Sequence, residues 1–206
     1  MGKSNLRRLP RQARSRETFE RILTASAELL EEVGFGAFTT NLLAERTGIS
    51  VRAIYRYFPN KHALIMELAI RLATEWQHKL AEVNPVELNA RNWSEIWPAY
   101  LDQFVLAVRD SRGGIAIIQA MRSDPQLRIF DDDINEEYIR GISASLKSST
   151  RTLNSNDADA LARVLMKSTV AVVDSILEAP PTQAKKMLGM LKSMHISLIN
   201  ELINEP

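Results

Sequence analysis

The sequence predicts an all-α protein of about nine helices, and three observations lead to that prediction. Apolar residues recur every three or four positions along nearly the whole chain, which places them on one face of a helix. No segment alternates apolar and polar residues with the period of two that is typical of a half-buried strand. Clusters of glycine, proline, asparagine and aspartate separate the periodic segments, as turns between helices require.

The first helix is expected to follow a basic, polar arm that runs from Met1 to Ser15 and contains Pro10. Gly34 and Gly36 are expected to end the helix, because a chain that leaves a helix often needs a positive φ. The apolar face of this helix consists of Phe19, Ile22, Leu23, Ser26, Leu29, Leu30 and Val33. We expect this face to cover the two short helices that follow.

Capping residues and a glycine define the next two helices. Thr39 and Ser50 each offer a hydroxyl that can accept a hydrogen bond from the first turn of a helix. Gly48 begins the tight turn between the helices, and Pro59 closes the second one. The two helices are predicted at Thr40–Thr47 and Val51–Phe58.

The rest of the chain is predicted to form six longer helices. Asn60 is the expected N-cap of a helix that runs from Lys61 to about Val83. The breaks that follow are Asn84–Pro85 with a polar loop to Asn92, Gly113–Gly114, Asp124–Pro125 and Pro180–Pro181. The later helices are predicted at Trp93–Arg109, Ile115–Ser123, Asp131–Thr152, Asp157–Leu177 and Thr182–Asn204.

Charge is distributed unevenly along this chain of 206 residues, although the formal net charge is only +1. Residues 1–61 contain 11 Lys and Arg against 6 Asp and Glu, whereas residues 62–206 contain 15 against 19. A basic front and a slightly acidic rear indicate that only the front meets a polyanion. We therefore divide the chain into a basic arm with a head at 1–61 and a helical body at 62–206.

Composition excludes several classes of protein. The chain has no cysteine, so it has no disulfide, no thiolate zinc site and no cysteine nucleophile. No run of 18 apolar residues occurs, and the start of the chain lacks the apolar stretch of a secretory signal. We expect a cytoplasmic protein without a membrane span.

No group of residues predicts a metal site, a cofactor or an enzyme. His62, His78 and His195 are far apart in the sequence. The acidic run Asp131–Asp133 is interpreted as the start of a helix, where carboxylates complement the macrodipole. There is no glycine-rich phosphate loop, and no serine, histidine and aspartate have a recognisable catalytic spacing.

The two short helices have the composition of a helix-turn-helix. Ala44 leaves room for close packing, Gly48 allows the turn, and Ile49 and Ile54 fill the crevice between the helices. In such units the second helix enters the major groove of DNA and its first residues reach the base edges. The alternative is a small helical bundle without DNA. Large side chains at positions 55, 56 and 57, all expected to be exposed beside Arg52, favour the DNA-binding interpretation.

The segment from Thr39 to Lys61 resembles the signature of the TetR family of bacterial transcriptional regulators. The resemblance depends on the Gly-Ile-Ser turn, on Tyr-x-Tyr-Phe at the end of the second helix, and on a lysine three residues after Phe58. Ala27-Glu28-Leu29-Leu30 and Gly34-Phe35 in the first helix also match. Together these residues cover about a quarter of the chain.

The resemblance implies a homodimer that binds double-stranded operator DNA. The residues that match DNA-contacting positions of the family are Thr39, Thr40, Ser50, Val51, Arg52, Ala53, Tyr55, Tyr57 and Lys61. Arg56 lies on the same exposed side and is also a candidate DNA contact. Family members often have glycine and threonine in place of Arg52 and Ala53. Arg52 could read guanine through a bidentate contact or could only grip phosphate, and the sequence leaves both open. The basic residues before the first helix are Lys3, Arg7, Arg8, Arg11, Arg14 and Arg16, and the arm either lies along DNA or is a solvated tail.

The resemblance also implies that the body senses a small molecule. Ligand binding would move the two heads apart, so that their spacing no longer fits successive major grooves. The large or polarizable residues on the middle helices are the candidate ligand-binding residues, with ordinary core as the alternative: Trp76, Trp97, Tyr100, Phe104, Met121 and Met166. No cofactor is expected.

The last two helices carry broad apolar faces that could pair with their copies as a four-helix bundle. The candidate interface residues are Leu161, Leu165, Val172, Ile176, Met187, Leu191, Met194 and Leu198. The alternative is that both faces are covered within one chain. The leading function is a regulator, in most such cases a repressor, that a small molecule releases from its operator. The other function considered is a constitutive helix-turn-helix DNA-binding or architectural protein that senses nothing.

Overall fold

The structure is a computed structural model that describes residues 10, 12–86, 92–149 and 153–203. Within these ranges the chain forms nine α-helices and no strand, which confirms the all-α prediction. Most of the basic arm, residues 1–9 and 11, lies outside the described residues. The helices are α1 (Ala13–Ala37), α2 (Thr40–Thr47), α3 (Val51–Tyr55), α4 (Lys61–Leu80), α5 (Trp93–Asp110), α6 (Gly114–Ser123), α7 (Pro125–Ser149), α8 (Ser155–Glu178) and α9 (Pro181–Ile203).

The chain divides into two compact units. The first unit consists of residues 1–75 and 110–134, and it contains α1, α2, α3 and α6. The second unit consists of residues 76–109 and 135–206, and it contains α8 and α9. None of the described helices combines the length and the hydropathy that a membrane crossing requires.

Helix α1 buries the predicted apolar face with one exception. Its residues from Phe19 to Leu30 on that face are buried, but Val33 is 38% exposed. Gly34, with a φ of 67°, interrupts the helical path directly after Val33, so Val33 lies at the end of this apolar face. The prediction that Val33 is covered together with the rest of the face is wrong.

All three predicted N-caps of the short helices and of α4 are present. Thr39 Oγ1 accepts from the backbone N–H of Leu42 at 3.2 Å, and Ser50 Oγ accepts from that of Ala53 at 3.3 Å. Asn60 Oδ1 accepts from the backbone N–H of Ala63 at 2.8 Å. Each cap satisfies a backbone donor that the helix itself leaves free, which fixes where the helix begins.

Helices α3 and α4 each end three residues before the predicted position. Helix α3 ends at Tyr55 rather than at Phe58, because the backbone N–H groups of Tyr57 and Phe58 both donate to the Ile54 carbonyl in a turn. This turn directs both rings into the core, where each is only 1% exposed. Helix α4 ends at Leu80 rather than at Val83.

Helix α7 begins at Pro125, six residues before the predicted start at Asp131. Asp124 caps it by accepting from the backbone N–H groups of Gln126 at 2.9 Å and Leu127 at 3.2 Å. Proline suits the first helical position, since its missing N–H would be unpaired there in any case. The acidic run Asp131–Asp133 therefore lies inside the helix, and the explanation of that run by the helix terminus is wrong.

Helices α1 and α6 pack closely in the first unit, and a glycine makes their approach possible. Gly113 has a φ of 67°, a region that side chains with a Cβ rarely adopt. A Cβ built on it would lie 3.1 Å from the Ala27 carbonyl oxygen and 3.2 Å from the Ala27 Cβ. Both backbone conformation and space therefore require glycine at this position.

Replacing Gly113 with alanine is expected to destabilise the first unit more than the same change at Gly34. Both glycines have a φ of 67°, but no atom lies within 4 Å of a Cβ built on Gly34. The left-handed backbone alone costs about 1–2 kcal/mol, and overpacking against Ala27 adds about 1–3 kcal/mol. Urea denaturation of the two variants measures the difference, and equal losses would mean that the contact with Ala27 relaxes at no cost.

Four of the eight residues that were predicted for the dimer interface are buried in the core of the second unit. Helices α8 and α9 pack against each other, and their inner faces share a core with residues of α5 and α7. Leu161, Leu165, Ile176 and Leu191 are at most 3% exposed in the single chain. Their apolar surface is already covered, so their prediction as contacts with a second copy is wrong. Among the other candidates, Val172, Met187 and Leu198 are half-buried and Met194 is 42% exposed.

Candidate functional site

The first unit contains a helix-turn-helix built from α2, a short turn and α3. Gly48 ends α2 in the left-handed conformation, with φ 67° and ψ 12°, and its N–H donates to the Ala44 carbonyl at 2.9 Å. Leu43 and Ile54 are fully buried and seat the two helices on the unit. Arg21 of α1 donates to the Thr47 carbonyl at 3.0 Å at the carboxyl end of α2. These contacts fix the orientation of α3.

The exposed side of α3 forms what we name the reader face, which consists of Ser50, Arg52, Tyr55 and Arg56. Tyr55 is 37% exposed, and its hydroxyl lies 3.2 Å from Thr40 Oγ1 at the start of α2. This hydrogen bond joins the first residue of α2 to the last residue of α3. Of the other predicted contacts, Thr39 is exposed, whereas Thr40, Val51, Ala53 and Lys61 are half-buried.

Tyr57 is not the exposed side chain that the sequence predicted. Its ring is 1% exposed and packs edge-on against Phe19, with 5.5 Å between the ring centroids. Its hydroxyl donates to the Ser15 carbonyl at 3.4 Å and accepts from Arg56 Nη2 at 3.1 Å. The Arg56 guanidinium also lies 5.1 Å from the centre of the Tyr57 ring. Tyr57 thus orients Arg56, while a direct contact of Tyr57 with DNA stays a prediction.

Lys61 is positioned by the end of the first helix. Its Nζ donates to the Phe35 carbonyl at 3.3 Å and lies 4.1 Å from the centre of the Phe35 ring. An ammonium group has three donors, so these contacts leave N–H groups for an anion. Phe35, one of the residues on which the family resemblance depends, therefore contacts Lys61, another of these residues.

A groove beside the reader face contains a cation that the sequence assigned to the arm. The groove is lined by the start of α1 and the end of α3, and Arg14 and Arg56 are its two cations. Arg14 lies in the first turn of α1, because that helix starts at Ala13 and not after Ser15. The other lining residues are Pro10, Gln12, Ser15, Thr18 and Tyr57.

Ion pairing distinguishes two sets of cations in the first unit. Arg46 makes a bidentate pair with Glu32, with both N···O distances at 2.6 Å, and the hydrogen bond from Arg46 holds the pKa of Glu32 below its usual value. Arg112 pairs with Glu28 at 3.2 Å. In contrast, Arg14, Arg52 and Arg56 form no ion pair with any residue that the structure describes. Three arginines without an ion pair to a described residue therefore lie on the reader face and in the adjoining groove.

The second unit contains a row of aromatic rings along α5. Trp93, Trp97, Tyr100 and Phe104 follow one another at helical spacing, with neighbouring ring centroids 5.7, 5.1 and 6.1 Å apart. Trp76 meets Phe104 edge-on at 5.5 Å. Four of the six predicted ligand-binding residues thus lie in one row, and Met166 packs against the same core as this row. Met121 belongs to the other unit, where it is buried.

A buried histidine that sequence reasoning set aside connects three helices of the second unit. Trp97 Nε1 donates to His195 Nδ1 at 2.8 Å, and His195 Nε2 lies 2.7 Å from Ser168 Oγ. Ser168 donates its own proton to the Val164 carbonyl at 2.6 Å, so His195 carries its proton on Nε2. Burial lowers the pKa of His195 to about 4. Trp97 and His195 are 98 residues apart, and nothing in their local sequence indicates the pairing.

The free energy of unfolding is expected to decrease less in acid when His195 is replaced with glutamine. The folded pKa of His195, about 4, lies below the unfolded value of 6.5, so the unfolded chain binds its proton first as the pH falls. This group therefore favours folding above pH 6.5, and the benefit of up to about 3 kcal/mol is lost between pH 6.5 and pH 4. Glutamine keeps an acceptor and a donor but does not titrate. Chemical denaturation of both proteins from pH 4 to pH 7 measures the effect, and parallel stability curves would contradict it.

Two models of known protein families match this chain, one in its front part and one in its rear part. Residues 22–68 match the family model described as bacterial regulatory proteins of the tetR family. Residues 93–197 match the model described as the tetracyclin repressor-like C-terminal domain. The second match covers half of the chain, and the first spans the helix-turn-helix.

Curated relatives resemble mainly the front of the chain. An uncharacterized HTH-type transcriptional regulator of Bacillus subtilis is 40% identical over 62 residues, which cover 30% of this chain and 31% of that protein. The tetracycline repressor protein class A from transposon 1721 of Escherichia coli is 36% identical over 87 residues, which cover 39% of this chain and 40% of that protein. The chain thus spans about a third of the length of the curated relatives that it matches.

Solved structures share the fold over nearly the whole chain. A TetR-family regulator from Streptomyces coelicolor has a TM-score of 0.66 at 21% identity, covering 89% of this chain and 98% of that one. A transcriptional regulator from Rhodococcus has a TM-score of 0.69 at 18% identity, covering 88% and 95%. A TetR variant from Acinetobacter baumannii in complex with minocycline has a TM-score of 0.53 at 24% identity, covering 91% and 98%.

Proposed function

Because this chain belongs to the TetR family of bacterial regulatory proteins, we propose that it is a sequence-specific DNA-binding transcriptional repressor that a small molecule releases from its operator. The family consists of regulators rather than enzymes. The proposed partners are double-stranded operator DNA, a small-molecule effector and a second copy of the chain, all in the cytoplasm.

The observation that supports DNA binding best is the unpaired charge on the reader face. The exposed Arg46 and Arg112 pair with glutamates, whereas Arg14, Arg52 and Arg56 do not pair with described residues. Phosphate groups would supply the missing anions, and the release of their counterions would supply much of the affinity. The cap and the buried Ile54 orient α3 and with it Arg52 and Arg56, and Arg14 of α1 lines one groove with Arg56.

We assign the individual contacts by their position on the helix-turn-helix. Backbone N–H groups at the start of α2, beside Thr39 and Thr40, would bind phosphate, as helix N-termini do. The first turn of α3, from Ser50 to Ala53, would enter the major groove. The groove that holds Arg14 and Arg56 would bind a neighbouring phosphate. Arg52 either reads guanine or grips phosphate, and both roles fit its exposure.

The aromatic row of the second unit is the proposed effector site. Trp97 is fully buried, but Trp76, Tyr100 and Phe104 keep part of their surface accessible. Accessible aromatic surface with a few polar groups is typical of small-molecule sites. Two helices, α4 and α7, contribute residues to both units, so a change in one unit has a covalent route to the other. One structural neighbour binds minocycline, but its low identity supports only a shared fold.

We place the dimer contact on the outer face of α8 and α9. The exposed apolar residues there are Val164 at 48%, Met190 at 71% and Met194 at 42%. We propose these residues as dimer contacts in place of the four buried leucine and isoleucine residues that were predicted from the sequence. Two helices from each copy would form a four-helix bundle, and the dimer would then carry two α3 helices, as a DNA site with two half-sites requires.

Selection of bound duplexes from a random pool tests this function. We expect enrichment of an inverted repeat whose half-sites are about one helical turn, roughly 34 Å, apart. Metabolites are then screened for release of the selected duplex. Failure to enrich any sequence would contradict specific binding, whereas enrichment without release by any compound would favour the constitutive DNA-binding protein.

A further inference from the structure

The indole nitrogen of Trp93 is a buried donor without an acceptor. Trp93 is 1% exposed, and within the described ranges Nε1 is the only buried side-chain nitrogen or oxygen that lacks a hydrogen-bond partner. Native proteins pair nearly all such groups, because a buried unpaired donor has lost its hydrogen bonds to water. An isolated exception needs an explanation.

The polar groups nearest along the aromatic row cannot supply the acceptor. Trp97 already uses His195 Nδ1, and the other nitrogen of His195 faces Ser168. The apolar residues of the core around Trp93 are leucine, isoleucine, alanine and Trp97, and none of these side chains offers an acceptor. The protein thus satisfies one tryptophan of the row and leaves the next one, whose ring centroid is 5.7 Å away, without a partner.

A water molecule does not fit this environment well. Buried waters usually make about three hydrogen bonds to protein groups, whereas Trp93 offers one donor within an apolar core. An acceptor atom that is attached to an apolar body fits better, since its body gains contacts with the surrounding side chains. Such an atom belongs to a ligand.

We propose that the effector is a flat, uncharged aromatic molecule whose carbonyl or ether oxygen accepts a hydrogen bond from Trp93 Nε1. This inference rests on the proposed function, because it assumes that the second unit binds an effector. The ring next to Trp93 in the row is that of Trp97, with 5.7 Å between the centroids, and a flat molecule bound at Trp93 would pack against it.

The surroundings of Trp93 select against a charged ligand. Trp93 is 1% exposed, so a charged group bound to it would lose its hydration, and the buried His195 is hydrogen-bonded to its neighbour Trp97. The imidazole of His195 is neutral at pH 7, because burial lowers its pKa to about 4. A carboxylate would exchange its hydration for one neutral donor, which disfavours its burial. An uncharged oxygen loses much less.

Matched pairs of a ketone and its hydrocarbon test the inference on the full-length protein. The pairs are 9-fluorenone with fluorene and 1-indanone with indane, which differ only in the acceptor. By calorimetry we expect the better-fitting ketone to bind about tenfold to a hundredfold more tightly than its hydrocarbon, because it satisfies the buried donor. The Trp93→Phe variant is expected to lose this preference while it still binds the hydrocarbon.

Two further measurements guard against a variant that fails to fold. Trp76→Phe changes another tryptophan of the same row and is expected to keep the ketone preference. In the wild-type chain, nuclear magnetic resonance detects the three indole N–H groups, and one of them is expected to move downfield with the ketone but not with the hydrocarbon.

The possible outcomes separate this inference from the proposed function. Equal affinities for ketone and hydrocarbon in the wild type, binding of neither compound in both pairs, or a preference that survives Trp93→Phe would each overturn the assignment of Trp93. None of these results would affect the enrichment of a DNA sequence. Conversely, a chain that prefers ketones but selects no DNA would contradict the regulatory function and not the ligand contact.

Discussion

The Tyr55→Ala variant is expected to lose sequence-specific binding to operator DNA and to remain a folded dimer. Tyr55 is 37% exposed on the reader face, so its ring contributes little to the core. Its hydroxyl bonds to Thr40 at 3.2 Å and lies where the start of α2 and the end of α3 meet. Alanine removes the proposed contact to DNA together with the hydrogen bond that joins the two helices.

The size of the effect follows from the symmetry of the proposed complex. A hydrogen bond to a charged group such as phosphate contributes about 1.5–3 kcal/mol. A dimer loses two of them, which amounts to about 3–6 kcal/mol, or roughly a hundredfold to ten-thousandfold in affinity. Fluorescence anisotropy with the selected duplex measures this loss at one fixed salt concentration, because phosphate contacts are salt-dependent.

Tyr55→Phe is the matched variant, since it keeps the ring and removes only the hydroxyl. We expect it to bind with an affinity between those of the wild type and Tyr55→Ala. Circular dichroism and sedimentation of both variants are expected to match those of the wild type. Loss of the dimer or of helical content in Tyr55→Ala would show that this residue is structural and that the reader face is wrongly placed.

The helix starts of the first unit were predictable because capping is local. Thr39, Ser50 and Asn60 each bond to a backbone N–H three residues later, so sequence spacing contains all the information. The end of α3 was not predictable in this way. Tyr57 and Phe58 leave the helix because the core against Phe19 accepts their rings, with Phe58 stacked at 5.1 Å. That partner lies about forty positions away in the sequence.

Periodicity identified apolar faces in the second unit but not what covers them. Leu161 and Met190 are apolar residues of the two helices that were predicted to carry broad apolar faces. Leu161 is 3% exposed, whereas Met190 is 71% exposed. Only the packing of α8 on α9 decides which part of a broad apolar face stays at the surface. The pairing of Trp97 with His195 was hidden for the same reason, because a side-chain contact between distant helices leaves no periodic signal.

The Met190→Asp variant is expected to dissociate the dimer into folded monomers. Met190 is 71% exposed in the single chain, so aspartate there is well solvated and leaves the fold of the monomer unchanged. In a four-helix contact the same carboxylate would be buried without a partner, which costs several kcal/mol. We expect the dissociation constant of the dimer to rise by at least about a hundredfold, which corresponds to about 2.7 kcal/mol.

Ile129→Asp is the matched control, because Ile129 is an apolar residue of α7 with a similar exposure of 67%. It lies outside the proposed contact, so its dimer is expected to persist. Analytical ultracentrifugation over a range of protein concentrations measures both constants. Dimers of equal strength in the two variants would move the contact away from the outer face of α8 and α9, and a monomeric wild type would remove it altogether.

A comparison of the DNA binding of Met190→Asp and Tyr55→Ala tests whether the second unit provides the dimer contact and the first unit the contact with DNA. A monomer carries an intact reader face but engages one half-site, so Met190→Asp loses the gain in affinity that a second, tethered contact provides. Raising its concentration restores the dimer and therefore its DNA binding. No concentration effect of this kind is expected for Tyr55→Ala, which is already a dimer. If Met190→Asp bound DNA as well as the wild type does, one α3 helix would suffice for recognition and the symmetric operator would be excluded.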